Sequence, residues 1–254
     1  MSLKPGVNSD TEDEIRRNID DKVLKLYDVY SYRHAATIMK ASFPDELREI
    51  EQSLLSFKIS IKDIAMPGGN ESAIPKQFSS LLRPHCWYET RIQGDLVIRV
   101  LEQSEELLPS GKLKKHKLPE KPEVIVENYI DGHKIDYVKG RVALDMEWNS
   151  KDQTYDRNLY AFSMFHECGI ISAAVLITRS EKLNPVFESV PLLKKDGSED
   201  LDKDGKPKFC KQKYGASTTW MGKLLYRLNA GRNGGCLVLV FGIRPDVITD
   251  WQDK

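Results

Sequence analysis

Two apolar runs in the second half of the sequence constrain the fold more than any other feature. Residues 170–178 and 237–243 are nearly continuous stretches of apolar residues, many of them β-branched, and glycine precedes each stretch. Strands with apolar side chains on both faces are typical of sheets that are covered on both sides. Because predicted helices mix with these strands, the sequence predicts an α/β fold, with a central mixed β-sheet flanked by helices on both faces.

The remaining elements follow from the periodicity of the apolar residues. Three- and four-residue spacing predicts helices over residues 11–39, 42–57, 75–82, 155–167 and 218–229. Extended patterns predict strands at 86–88, 96–98, 124–126, 135–138 and 142–148. Helices and strands mix without a long change in composition, so we expect a single domain over residues 1–254.

Three polar segments interrupt this pattern. Residues 1–12 are predicted to form a flexible arm, and residues 102–122 and 184–214 are predicted to form solvated polar loops. The first loop contains a basic run, Lys112 to Lys117. That run could contact phosphates, or it could be a surface loop that charge keeps soluble.

The charge balance limits how this chain could bind nucleic acid. Its 38 basic residues equal its 38 acidic residues, so the formal net charge is zero. Proteins that bind nucleic acid through bulk charge are normally basic. Any binding to DNA must therefore come from local patches.

The sequence also indicates where the protein acts. It contains no apolar run long enough to span a membrane and no recognisable export signal, so we expect a cytoplasmic protein with no membrane association. Its four cysteines form no Cys-x-x-Cys pair and are expected to be free thiols rather than zinc ligands. They are Cys86, Cys168, Cys210 and Cys236.

Three acidic residues form the most informative pattern for chemistry. In the predicted strand 142–148, Asp145 and Glu147 share one face, while the apolar residues share the other. Asp136 lies on the preceding strand, across a turn at Gly140, and can meet Asp145 in a hairpin. Neighbouring carboxylates repel each other, and a bound divalent cation relieves that repulsion. The alternative is a solvated hairpin with acids on its outer face.

The segment from Asp136 to Trp148 resembles the catalytic hairpin of the BglII/BstYI restriction endonucleases, within the PD-(D/E)xK nuclease superfamily. Further blocks resemble that family in the same order, at residues 30–34, 47–50, 225–232 and 237–245. One departure concerns the third catalytic position, where the family usually has Gln. Glu147 there is similar to the related enzyme BamHI. The polar segments 102–122 and 184–214 also look longer than the family minimum.

The resemblance implies a type II restriction endonuclease with a restriction-endonuclease-like fold. Such an enzyme hydrolyses phosphodiester bonds in double-stranded DNA at a specific sequence, with Mg²⁺ as cofactor. Asp136, Asp145 and Glu147 would be its catalytic residues and metal ligands. It would act as a homodimer, with a cognate DNA methyltransferase as its functional counterpart. The alternatives are a repair or nicking nuclease on the same fold, or a catalytically silent DNA-binding protein.

Several basic and hydroxyl side chains are candidates for contacts with DNA. Some could reach phosphates and others could bond base edges if the family fold holds. Equally, the cations could be solvated charges at a helix start, and the threonines could be helix N-caps. The candidates are Lys151, Arg157, Arg179, Ser180, Ser217, Thr218 and Thr219.

Overall fold

A computed structural model describes residues 9–68 and 73–252 of the chain. Its helices are α1 Glu12–Asn18, α2 Asp21–Leu26, α3 Ala35–Ser42, α4 Pro44–Ser56, α5 Ile61–Ala65, α6 Ala73–Leu82, α7 Thr154–Glu167, α8 Asn184–Ser189 and α9 Met221–Asn229. Its strands are β1 Tyr27–Tyr32, β2 Tyr88–Ile98, β3 Gln103–Leu107, β4 Leu113–Lys117, β5 Val124–Lys139, β6 Val142–Glu147, β7 Ala173–Arg179 and β8 Leu237–Ile243.

Six strands form one mixed sheet in the order β1-β8-β7-β6-β5-β2. The central strands β6, β7 and β8 run parallel, with Leu144 opposite Val175 and Val175 opposite Leu239. Strands β5 and β1 pair antiparallel to β6 and β8 respectively. The predicted α/β class and mixed sheet are therefore confirmed, and the two apolar runs form β7 and β8.

Side chains of β6 alternate between the two faces of the sheet. Val142, Leu144 and Met146 join the main hydrophobic core, where they pack with residues of α1 to α6. The opposite face carries Asp145 and Glu147, and α7 covers it through polar contacts to Glu147. Helices therefore pack on both faces, and the two acids share a face as the sequence predicts.

The structure corrects the long N-terminal helix predicted over residues 11–39. A capping box between Thr11 and Glu14 starts α1, and α2 ends at Leu26. The chain then extends as β1, in which Tyr27 lies opposite Ile243 of β8. Pairing with the edge of the sheet supplies backbone hydrogen bonds that override the local helical periodicity.

The predicted flexible arm falls partly outside the described residues, because residues 1–8 are not among them. Its remaining part is tied to the fold. Ser9 forms a β-bridge with Tyr32. The carboxylate of Asp10 accepts hydrogen bonds from the Ser31 hydroxyl, at 2.5 Å, and from the His34 backbone amide, at 2.9 Å. Residues 9–12 are therefore part of the fold and not an arm.

The chain divides into two compact units. The first contains residues up to Thr90 together with residues from Ile135 onward, and the second contains Arg91–Lys134. Strands β2 and β5 both run from one unit into the other. The single nuclease domain over residues 1–254 stays a prediction.

The second unit corrects the predicted polar loop at residues 102–122. Strands β3 and β4 form an antiparallel hairpin there, with a turn at Gly111. Acidic residues of β3 lie opposite basic residues of β4, and Lys115 pairs with Glu105 at 3.5 Å. The strands were missed because cross-strand charge pairs, and not an apolar face, form their pattern.

The predicted loop at residues 184–214 is also only partly correct. Residues 194–208 are mostly exposed and polar, but the ends of the segment are structured. Helix α8 buries Val186 and Phe187, and the ring of Tyr214 stacks on that of Phe187 with 4.4 Å between centroids. The segment therefore contributes to the core of the first unit.

The cysteines and the apolar character of the helices were both predicted from the composition. All four cysteines are free thiols, with Cys86 and Cys168 exposed and Cys210 and Cys236 buried. Across residues 9–68 and 73–252, no helix has both the length and the apolar character that crossing a membrane requires.

The hydroxyl of Tyr27 tests the corrected position of β1. This buried hydroxyl donates a 2.8 Å hydrogen bond to the backbone carbonyl of Leu54 in α4. Tyr27→Phe should lower the free energy of unfolding by about 1 kcal/mol, because a buried carbonyl then loses its partner. Urea unfolding measures the change, with the exposed Tyr226→Phe as matched control. If both variants unfold like the natural protein, the contact between β1 and α4 is not formed.

Candidate active site

The three predicted acids lie on the neighbouring strands β5 and β6 of the first unit. The backbone amide of Asp136 donates a 2.9 Å hydrogen bond to Oδ1 of Asp145. Asp145 is only 4% exposed and Glu147 only 7% exposed, whereas Asp136 is exposed to solvent. The hairpin therefore brings a surface carboxyl next to two buried ones.

Helix α7 and strand β7 hold Glu147 in place. The side-chain amide of Asn158 donates a 2.8 Å hydrogen bond to Oε1 of Glu147. The hydroxyl of Thr178, which lies opposite Glu147 in the sheet, donates to the Glu147 backbone carbonyl at 3.0 Å. Since that proton is used, the hydroxyl of Tyr155, 2.6 Å from the Thr178 hydroxyl, is the donor to Thr178. Both the carboxylate and the backbone of Glu147 are thus anchored.

The electrostatics of the site disfavour ionisation of the buried carboxyls. Burial raises the pKa of Asp145 well above its usual range, and the charge of Asp136 raises it further. The backbone amide of Asp136 opposes this increase. Burial also raises the pKa of Glu147, against hydrogen bonds from Ser150 and Asn158 and the charge of Arg157. A cation bound at the site would reverse this cost.

The donor atoms of the site are suited to a hard divalent cation. All three side chains offer carboxylate oxygens, the ligands that Mg²⁺ prefers. However, their ligand atoms do not all lie within 4.8 Å of one another. Among the described residues, the group of three potential ligands whose atoms lie within 4.8 Å of one another is Asp10, Glu14 and His34, near the start of the chain. The assignment of Asp136, Asp145 and Glu147 as catalytic residues and metal ligands stays a prediction.

Arg157 and Lys151 are two of the side chains predicted to contact DNA. Both side chains are exposed. The positive charge of Arg157 lowers the pKa of both Asp145 and Glu147, which places Arg157 within electrostatic range of the site. Lys151 forms an isolated β-bridge with Thr218. These two cations are available to a phosphate group.

Arg179, a predicted DNA contact, lies inside the fold and is only 2% exposed. Its guanidinium lies against the rings of Phe187 and Tyr214, 5.2 and 5.0 Å from their centroids. It donates 2.6 Å hydrogen bonds to the Thr218 hydroxyl and to the Thr219 backbone carbonyl. Burial lowers the pKa of Arg179 to about 10. In this position Arg179 holds the segment before α9 against the core.

The hydroxyl side chains that were predicted to contact DNA are also partly exposed and partly bonded within the fold. Ser217 is exposed, while Ser180 and Thr219 are buried. The Ser180 hydroxyl donates a 2.6 Å hydrogen bond to Asp28, and the Thr218 hydroxyl donates to the Gly215 carbonyl at 2.7 Å. The alternative that the threonines cap the following helix is wrong, because the N-cap residue of α9 is Trp220.

Sequence reasoning missed the residues of α7 and β7 that support Glu147. Tyr155, Asn158 and Phe162 lie three and four residues apart on the buried face of α7. A polar amide on an otherwise apolar helical face is unusual unless it has a buried partner. That signal could have identified Asn158 as a partner of an acid on the sheet.

The pH dependence of stability tests the electrostatics of Asp145. In the folded protein the pKa of Asp145 lies above the unfolded value of about 3.9, so folding favours the protonated carboxyl. The contribution of Asp145 to the free energy of unfolding is therefore fully present below the unfolded pKa. It is lost as the pH rises through the folded-state pKa. Asp145→Asn cannot ionise and should melt above the natural protein at pH 7 in EDTA. The melting temperatures of the two proteins should differ by about 2–4 °C for each kcal/mol that ionisation of Asp145 costs the folded protein. This difference should shrink towards pH 4.

The control for this melt is the exposed Asp204→Asn, which removes a carboxyl that is not buried. Its melting temperature should follow that of the natural protein at every pH. Equal melting of Asp145→Asn and the natural protein across the whole range would show that Asp145 is solvated.

The buried position of Arg179 makes it a stability determinant. Arg179→Ala should lower the free energy of unfolding by roughly 2–5 kcal/mol, since it leaves a cavity among aromatic rings. Exposed Lys151→Ala should change it by less than about 0.5 kcal/mol. Urea unfolding separates the two cases. A variant at Arg179 with natural stability and weakened binding to DNA would instead place this side chain on the surface.

Comparison with known proteins identifies the family of the chain. No curated protein matches the sequence. A family model described as restriction endonuclease BglII/BglIII matches residues 27–243. The match runs from β1 to the end of β8, so it includes the six-stranded sheet and all three acids. The chain belongs to the BglII/BglIII family of restriction endonucleases.

Proposed function

We propose that this protein is a type II restriction endonuclease that hydrolyses phosphodiester bonds in double-stranded DNA at a specific sequence, with Mg²⁺ as cofactor. Membership of the family supports the reaction class. The observation that carries the proposal for the site is the burial of Asp145 beside Asp136. Burying a carboxyl next to a second one lowers the stability of the folded protein. Such unfavourable pairs are typical of functional sites.

Asp136, Asp145 and Glu147 would hold the cation. When bound, Mg²⁺ supplies charge stabilisation at the phosphate and activation of water. Asp145 and Glu147 are buried and fixed, so they would define the position of the cation, whereas exposed Asp136 can adjust. Divalent metal is expected to bind the ionised acids and to remove the unfavourable electrostatics of the empty cluster.

Glu147 has a second role in this proposal. Its carboxylate is fixed by Asn158, and because burial raises its pKa, it accepts a proton more readily than an ordinary carboxylate. We assign it to orienting and deprotonating the attacking water. Asn158 acts through Glu147 and is a positioning residue.

Contacts with DNA fall to the exposed side chains around the site. Lys151 and Arg157 would neutralise phosphates, and Ser217 would donate a hydrogen bond. Arg179, Ser180, Thr218 and Thr219 would act from beneath this surface. The hydrogen bonds of Arg179 to Thr218 and Thr219 fix the segment that carries Ser217 and pairs with Lys151. The Ser180 hydroxyl bonds Asp28 of β1 instead, so it would support this surface only through the sheet.

The assembly and the cellular partner follow from the chemistry of double-strand cleavage. A two-fold homodimer would let each subunit cut one strand of a palindromic site. A cognate DNA methyltransferase would protect the host's own sites. Both activities would operate in the cytoplasm, where the host DNA lies.

Cleavage of plasmid DNA tests the proposed site. The natural protein with Mg²⁺ should give discrete fragments with identical ends, and EDTA should abolish them. Asp145→Asn should lower the cleavage rate by more than about 100-fold, because loss of a ligand should exceed the 10–100-fold cost of losing a group that only supports ligands. The exposed Asp204→Asn is the control with unchanged rate.

Three outcomes would contradict the proposal. Full cleavage by Asp145→Asn would remove Asp145 from the site. Nicked circles without linear product would indicate a nicking enzyme, and sequence-specific binding without any cleavage would indicate a DNA-binding protein. Binding of a labelled duplex, measured in Ca²⁺, shows whether Asp145→Asn keeps its fold and specificity.

A further inference from the structure

An open cleft lies between the start of α9 and the segment that precedes α7. Its volume is about 410 Å³, within the range of small-molecule sites in proteins. We call it the aromatic cleft, because two aromatic side chains line it together with two cations, one carboxylate and one glycine. The lining residues are Asp152, Trp220, Gly222, Lys223, Tyr226 and Arg227. All six belong to the first unit.

Gly222 allows the ring of Trp220 to lie against the helix. A Cβ atom at position 222 would lie 2.2, 2.5 and 3.0 Å from three carbon atoms of the Trp220 indole. Glycine destabilises a helix compared with alanine. The first turn of α9 therefore contains a poor helix former at the one place where any other residue would push the indole away.

The second aromatic side chain is presented to solvent. Tyr226 lies one turn after Gly222 on α9 and is 69% exposed, whereas Leu224 and Leu228 of the same helix are buried. Trp220 is also partly exposed. Accessible aromatic rings beside polar groups are suited to stacking on a planar ligand. The cleft therefore suits a flat aromatic ring.

The cations of the cleft are already paired with acids. The Nζ atom of Lys223 lies 2.6 Å from Oδ2 of Asp152, and Nε of Arg227 lies 3.1 Å from Oδ2 of Asp156. A phosphate would have to displace one of these carboxylates, and a cationic ligand would meet both Lys223 and Arg227. This charge pattern favours a neutral ligand with hydrogen-bond donors and acceptors at its edge.

The cleft adjoins the surface proposed to meet DNA. The backbone amide of Asp152 donates a 3.0 Å hydrogen bond to the Ser217 carbonyl. The neighbouring Lys151 forms a β-bridge with Thr218, and Trp220 follows two residues later in the chain. The neutral planar ring with polar edges that DNA can supply is a nucleobase.

We propose that the aromatic cleft binds one unpaired nucleobase of the DNA, stacked against the rings of Trp220 and Tyr226. In a paired duplex the neighbouring bases cover both faces of each base, so contact between rings requires a base that has left the stack. The polar edge of that base would meet Asp152 and Lys223. The proposal rests on the DNA binding of the proposed function, but it does not involve the cleavage chemistry.

Fluorescence of 2-aminopurine, measured in Ca²⁺, is the first test. The probes are a duplex with one bulged 2-aminopurine, the same duplex fully paired, and free 2-aminopurine riboside. The natural protein should bind the bulged duplex about 5- to 150-fold more tightly than the paired one, which is the factor that stacking of one base contributes. The fluorescence of the bulged base should fall on binding, because an aromatic ring stacked on it quenches it.

Substitutions of the two rings locate the bound base. Trp220→Ala and Tyr226→Ala should each weaken the quenching and lose most of the preference for the bulged duplex. Tyr226→Phe retains a ring and should retain both. The matched control is Tyr129→Ala, which removes a ring that is 60% exposed in the second unit and should change neither property.

Gly222→Ala gives a sharper test, because it acts on the indole without removing it. Alanine is the better helix former, so the melting temperature should stay close to that of the natural protein. The preference for the bulged duplex should nevertheless fall as in Trp220→Ala. In the control Gly68→Ala the nearest atom to the new Cβ is Cε of Lys213, at 4.0 Å, and the preference should be unchanged.

Three outcomes would overturn the proposal. They are equal binding of the bulged and paired duplexes, quenching that survives the loss of both rings, and binding of the free riboside as tightly as the bulged duplex. In the last case the base would not have to come from DNA. If the bulged base is preferred and quenched but no DNA is cut in Mg²⁺, the cleft stands and the proposed cleavage fails. Normal cleavage without any preference for the bulged duplex overturns the cleft alone.

Discussion

The burial of two carboxyls on one face of β6 is the constraint on which the site depends. Asp145 and Glu147 are only 4% and 7% exposed, and at such burial an ionised group loses most of its hydration. The fold compensates only in part, with the Asp136 backbone amide for Asp145 and the Asn158 amide for Glu147. The polar groups around the two carboxyls lower this cost, and a bound cation would relieve what remains.

That polar structure extends along β7 to the segment before α9. Thr178 lies beside Glu147 in the sheet, and the next residue, Arg179, fixes Thr218 and Thr219. Arg179 is held by aromatic rings, one hydroxyl and one backbone carbonyl, so it is stabilised without another carboxylate in the region. Strand β7 thus orders both the backbone at Glu147 and the surface proposed to meet DNA.

The sequence predicted the parts of the fold that rest on strong apolar patterns and missed those that rest on partners distant in the chain. Strands β7 and β8 and the shared face of Asp145 and Glu147 followed from apolar runs and alternation. Strand β1 looked helical because its pairing with β8 is invisible to local spacing. Arg179 looked exposed because cation–aromatic contacts require residues far along the chain, and Asn158 was passed over for the same reason.

Strand β5 links the β3–β4 hairpin, whose tip can gain or lose residues, to the site, where an insertion would displace Asp136. Its first part belongs to the second unit, and the same continuous strand delivers Asp136 to the site. Side chains alternate faces, so one residue inserted between Ile130 and Asp136 would turn the carboxyl to the wrong side of the sheet. The turn at Gly111 imposes no such parity. During divergence, the hairpin tip can therefore become longer or shorter. The part of β5 that leads to Asp136 must keep its number of residues.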